Sequence, residues 1–191
     1  MSDFLDSRGD VAQWQALLRE AGRLRGIELD EELESYLVFT LMRWLRRPEM
    51  AQRVLALEFL EALQQQARQR DERLRDVGDQ CLLFSGLFPQ RAERRRVRIS
   101  YYVDLGRGAY RNLSEGIGEL ARLFGRLAEE FVPAMDVLQS IRAVGGEPSG
   151  MTALQALELW SDTGSQTARA ELSRHGAVEP IIMGEAPSRR H

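Results

Sequence analysis

From Val11 to Leu172 the apolar residues recur at steps of three and four, and only Val97-Arg98-Ile99 shows a short alternation. Steps of three and four put side chains on one face of an α-helix, whereas a half-buried strand needs steps of two. This periodicity predicts an all-α fold, a single-domain orthogonal or irregular bundle of about seven to nine helices. Residues 1–9 read as a flexible N-terminal arm, 10–176 as the helical domain and 177–191 as an irregular C-terminal tail.

Trp14, Leu17, Leu18, Ala21 and Leu24 make the inward face of a first helix that Gly26 ends. Asp30, Glu31 and Glu32 open a second, where the helix dipole favours negative charge. Its run Tyr36–Met42 is apolar on nearly all sides, which predicts a central helix. A strand is the rival reading there, and the arginines at its far end favour helix. Pro48 begins a third helix, with Met50, Val54, Leu57, Leu60 and Leu63 as its face. A fourth carries Leu74, Val77, Cys81, Phe84 and Phe88, and Pro89 stops it. Ser100 is a plausible N-cap for a fifth, whose face is Tyr102, Leu105, Gly106, Ala109 and Leu113. Ser114-Glu115 starts a sixth, with Ile117, Leu120, Ala121, Phe124, Leu127 and Phe131 inward. Pro133 kinks it or begins another. Gly145–Gly150 is a loop, Thr152 and Gln155 form a capping box, and a break at Ser161–Gly164 precedes a last helix ending at Gly176. In the tail, Val178, Ile181, Ile182 and Met183 are apolar enough to pack on the body or on a partner.

Composition removes several chemistries. All 26 basic residues are arginine, so Schiff-base, P-loop and Ser-Lys chemistry are excluded. An all-arginine basic set fits a GC-rich bacterial codon bias. The two histidines, His175 and His191, stand near the end, so the body lacks the commonest general base and any Glu-x-x-His pair for a di-iron bundle. Cys81 is the single cysteine, which excludes an internal disulfide and a cysteine zinc site and fits a reducing cytoplasm. No apolar run approaches the roughly 20 residues of a membrane span, and the acidic MSDFLDSRGD start has no signal-peptide pattern. The reading includes no cofactor and no metal; Glu58/Glu61 and Glu129/Glu130 read as solvated faces.

The least ordinary stretch is Asp76–Tyr110. Ser85 lacks a G-x-S-x-G frame and reads, with Gly78 and Cys81, as a small residue that lets another helix approach. Asp79 lies in an apolar turn and must be paired if buried, with Arg107 or an arginine of 91–98 as the natural partner. Asp79, Tyr101, Tyr102, Asp104 and Tyr110 are either a structural network or the lining of a ligand pocket between the helices around 74–88 and 101–113. Arg94, Arg95, Arg96 and Arg98 are either a solvated connection or an anion site, and nucleic acid is the weaker version of the latter. The pattern Gly78-Asp79-x-x-Leu82-x-x-Ser85-Gly86-x-Phe88-Pro89, then Tyr101-Tyr102-x-x-Leu105-Gly106-x-x-Ala109-Tyr110, then Trp160-x-x-Thr163-Gly164-Ser165-x-x-Ala168, resembles an uncharacterised group of bacterial helical proteins. That resemblance implies an all-α fold and carries no activity, ligand or catalytic residue. The function expected from the sequence is non-catalytic protein–protein binding or self-association. The alternative is small-molecule binding or hydrolysis in the inter-helix pocket.

Overall fold

The computed structural model describes residues 7–45, 54–146 and 150–176. Those residues form nine helices of nine or more residues and one short one, with no strand among them. The all-α expectation holds. Residues 1–6, Pro48 and Met50, the loop residues 147–149 and the tail 177–191 with its four apolar residues lie outside the described residues.

Helix α4 (Ala67–Leu87) is the centre. Its first two turns are charged and solvated, and then every residue from Val77 to Gly86 is buried. It packs on α3 (Leu55–Leu63), α6 (Ile99–Ser114) and α8 (Phe131–Val144). A helix can be surrounded this closely only where it carries small residues. A Cβ on Gly86 would stand 2.6 Å from Leu138 Cβ on α8, and one on Gly78 would stand 2.5 Å from Tyr110 Cε1 on α6. On α6, a Cβ on Gly106 would meet Phe131 at 2.5 Å and Cys81 at 2.8 Å. The sequence reading of Gly78 and Cys81 as close-approach positions is therefore met, with Gly86 and Gly106 added.

The remaining helices wrap this centre. Helix α1 (Ser7–Arg23) packs on α8, and α2 (Glu31–Leu45) packs on α1 and α7 (Glu119–Glu129). The short α5 (Gln90–Arg94) turns the chain from α4 toward α6. Helices α9 (Ala153–Thr163) and α10 (Gln166–Arg174) form a pair against α6 and α8. The Thr152–Gln155 capping box is present at the start of α9, and Gly164 ends it in the left-handed conformation with φ +73°. Glycine takes that conformation without the Cβ penalty.

Several sequence expectations need correction. Helix α2 is not central: Leu33, Leu37, Val38 and Leu41 are buried, but Phe39 is 61% exposed. The third helix presents the opposite face from the one expected. Leu55 and Ala62 are buried, while Val54, Leu57, Leu60 and Leu63 are exposed. Ser114 ends α6 instead of starting the next helix, and α7 begins after Gly118 at φ +104°. Ile117 and Leu120 consequently lie outside rather than inside. Ser100 does not cap α6; its hydroxyl donates to Asp162 Oδ2 on α9 at 2.7 Å, and the N-cap is Arg98, two residues earlier. Helix α1 extends back to Ser7, into the segment read as an arm.

The glycine contacts make a paired prediction. Gly78→Ala gains helix propensity but drives a methyl into Tyr110, and should destabilise by about 1–3 kcal/mol. Gly108→Ala, also helical, meets only Phe59 Cζ at 3.8 Å and should stabilise by about 0.5–1 kcal/mol. Urea denaturation of both variants measures the difference; equal effects would mean that α4 and α6 are not in this close register.

Candidate functional site

Asp79 points its carboxylate into the interior from the middle of α4, only 2% exposed. Tyr36 Oη on α2 donates to its Oδ1 at 2.6 Å, and Tyr110 Oη on α6 donates to the same oxygen at 2.7 Å. Arg43 of α2, half-buried, donates to Oδ2, and Arg75 Nε approaches that oxygen to 3.8 Å. Arg43 also pairs with Asp76 at 3.1 Å. Burial raises the Asp79 carboxyl above its ordinary value, against the opposing pull of Arg43, Tyr36 and Tyr110. Burial, and then the neighbouring Asp79 charge, hold both phenols well above theirs, so they remain protonated donors.

This arrangement satisfies Asp79 from two neighbouring helices, α2 and α6. Sequence reasoning foresaw that it needs a cation but chose the wrong one. Arg107 instead donates to the Ala128 carbonyl at 3.0 Å, and Arg98 pairs with Glu158 and Asp162 on α9. The partners Arg43 and Tyr36 lie 36 and 43 residues away in sequence, where spacing carries no signal.

The five proposed ligand residues divide between two places. Asp79 and Tyr110 belong to the buried network. Tyr101 and Asp104 are exposed on the outer face of α6. Tyr102 lies between, buried, its ring edge-on to Phe84 at 5.8 Å and to Tyr101 at 5.5 Å. Tyr101 and Tyr102 line a cavity of about 240 Å³ with Phe84, Leu55 and Val97, and Arg95 stands at it. Asp79 and Tyr110 do not line that cavity. A shallower groove continues past Val97 and Tyr101 to Arg98, Asp104 and Asp162. Of the four arginines, Arg98 is therefore engaged with α9, while Arg94, Arg95 and Arg96 are exposed and make no ion pair among the described residues.

A second buried carboxylate went unnoticed in the sequence. Asp136 on α8 is 1% exposed and accepts from Ser165 Oγ and, at 2.8 Å, from the Gln166 backbone N–H. It thus caps the start of α10, where unpaired N–H groups and the dipole favour an anion. Ser165 Oγ accepts in turn from Ala168 N at 3.1 Å. The signal was present in Thr163-Gly164-Ser165-x-x-Ala168: a left-handed cap, then an N-cap serine, then a fully buried alanine. Cys81 is buried, and burial pushes its thiol up, away from nucleophilic or metal-binding use. Ser85 Oγ donates to the Cys81 carbonyl at 2.9 Å, as an in-helix serine does.

Among the described residues no group of three His, Cys, Asp or Glu side chains could hold a metal ion, and no helix is long and apolar enough to cross a membrane. Comparison with family models, curated proteins and solved structures found no match.

Removing the Asp79 carboxylate leaves two phenols without their acceptor, while Arg43 keeps Asp76, so Asp79→Ala should lose about 2–4 kcal/mol. The pH dependence has a definite sign. A carboxyl whose folded pKa lies above its unfolded value of about 4 contributes fully below that value and loses its contribution as pH rises through the folded one. Denaturant titrations of wild type and Asp79→Asn should show the wild-type advantage shrinking as pH increases from about 4. An advantage that grows with pH would mean that Arg43 outweighs burial.

Proposed function

We propose that the protein works by protein–protein binding without catalysis, and that its α3 surface pairs with a second copy of the chain. One observation carries this reading. Val54, Leu57, Leu60 and Leu63 stand at three-residue steps, each 40–57% exposed, while Leu55 and Ala62 of the same segment are buried. The segment therefore has two apolar faces, one in the core and one without a partner among the described residues. Isolated exposed leucines are ordinary, but an aligned row of them marks an interaction surface. The row is roughly 14 Å long at 1.5 Å per residue, and each side chain that becomes fully buried contributes about 1.5–3 kcal/mol.

The flank favours a copy over an unlike partner. Glu61 on α3 faces Arg73 on α4 at 3.4 Å, so both signs lie beside the row. A surface with both signs can be complementary to itself across a two-fold axis, the commonest symmetry of soluble oligomers. The interior polar groups support a non-catalytic role. Asp79 and Asp136 are saturated by structural partners, and the thiol of Cys81 is buried.

Light scattering at tens of micromolar, on the order of ordinary homodimer affinities, tests the reading. The full chain should have about twice the 21.8 kDa mass, and Leu57→Glu/Leu60→Glu should return it to the single-chain mass with unchanged helicity. A full chain that stays monomeric, or a double variant that keeps the larger mass, contradicts the α3 interface.

A further inference from the structure

The cavity between α4, α6 and the segment entering α3 has a lining suited to one ligand class. Its walls are Leu55, Phe84, Val97 and the rings of Tyr101 and Tyr102. Among the described residues no carboxylate lines it, and Arg95 is the one charged side chain. Arg95 is exposed and makes no ion pair among the described residues, although the chain carries a formal charge of −3. Arg98, three residues on, shows what the local acids do engage: it pairs with Glu158 and Asp162, both on α9. The Tyr101 hydroxyl also makes no hydrogen bond among the described residues. An apolar, aromatic-walled recess with an unengaged guanidinium and phenol is the usual form of a small-molecule site, in which the apolar body supplies burial and a few polar groups orient it.

We infer that this cavity binds a small monocarboxylate with an aromatic or aliphatic body, its carboxylate on Arg95 and its body against Phe84, Val97 and Tyr102. The planar guanidinium matches a carboxylate with two parallel hydrogen bonds. A phosphate is the poorer occupant, because one lining cation does not balance a second negative charge placed beside apolar walls. The volume, about 240 Å³, sets the ligand near the size of a single ring with a short chain. The left-handed backbone at Arg96, φ +54°, and the bond from Val97 N to the Ala92 carbonyl at 3.0 Å fix the turn that presents Arg95. This inference goes beyond the self-association reading and does not depend on it, although Val54 borders both surfaces.

The test uses the full chain and three probes with one body: 4-phenylbutyrate, its neutral primary amide and 4-phenylbutylamine. Binding is followed by methyl and aromatic NMR shifts, with calorimetry for affinity. The carboxylate should shift the resonances of Leu55, Val97 and Tyr101 and bind about tenfold more tightly than the amide, the amine more weakly still. Arg95→Gln should remove most of the preference for carboxylate over amide; as an exposed residue it can be changed without disturbing the core. Leu57→Glu/Leu60→Glu should leave probe binding unchanged, which separates this site from the interface on α3. The inference is overturned if no probe shifts those resonances up to its solubility limit. It is equally overturned if acid and amide bind alike, or if Arg95→Gln leaves their ratio intact.

Discussion

A carboxylate buried at the centre of an all-α protein sets the geometry of everything around it. Asp79 is fully enclosed, and a charge there is tolerated only with partners in place. Those partners come from both sides of α4: Tyr36 and Arg43 from α2, Tyr110 from α6. Helix α2 packs its backbone chiefly on α1 and α7 and reaches α4 through these long side chains. Their heads fix how far and at what rotation α2 lies. Gly78, one residue before the carboxylate, supplies the room in which the Tyr110 ring lies flat against α4. The ring then stacks on Phe124 at 5.9 Å and touches Phe131 at 6.0 Å, so one polar contact continues into the aromatic packing of α7 and α8.

The same geometry separates structure from surface along α6. Tyr102, Gly106, Ala109, Tyr110 and Leu113 face inward and are consumed by packing or by Asp79. Tyr101 and Asp104 are left on the outer face, next to the turn that carries Arg95. The polar group that looked like one site in the sequence is thus two, a saturated network inside and a sparsely engaged recess outside. Among the described residues the Tyr101 hydroxyl and the Arg95 guanidinium of the recess have unspent hydrogen-bonding capacity, whereas the buried acid is fully engaged.

How much of this was legible follows from the kind of information each feature needs. Fold class came from the three-and-four periodicity, and the start of α9 from Thr152-x-x-Gln155, because both are local. The face of α3 was not legible. Leu-Ala-Leu-Glu-Phe-Leu-Glu-Ala-Leu is apolar at most positions, so Leu55/Ala62 and Leu57/Leu60/Leu63 are equally good stripes until a neighbouring helix chooses one. The centrality of α4 was hidden by its charged first half, which lowers its average hydropathy although ten consecutive residues further on are buried. For α2 the reverse held: Phe39 made the run look surrounded, yet its ring is outside. The need for a partner at Asp79 was legible, and the partner's identity was not, because a contact across 36 residues depends on tertiary placement. Asp136 was missed because an acid in an apolar helix was not linked to a helix start 30 residues later.

Arg43 on α2 and Tyr110 on α6 act together through Asp79 as one structural unit. A double-mutant cycle with Arg43→Gln and Tyr110→Phe, read by urea denaturation at neutral pH, tests it most directly. The two changes should be non-additive, with a coupling of about 0.5–3 kcal/mol. Changes that add to within about 0.5 kcal/mol would contradict it, and would mean that the two contacts to the carboxylate are independent of each other.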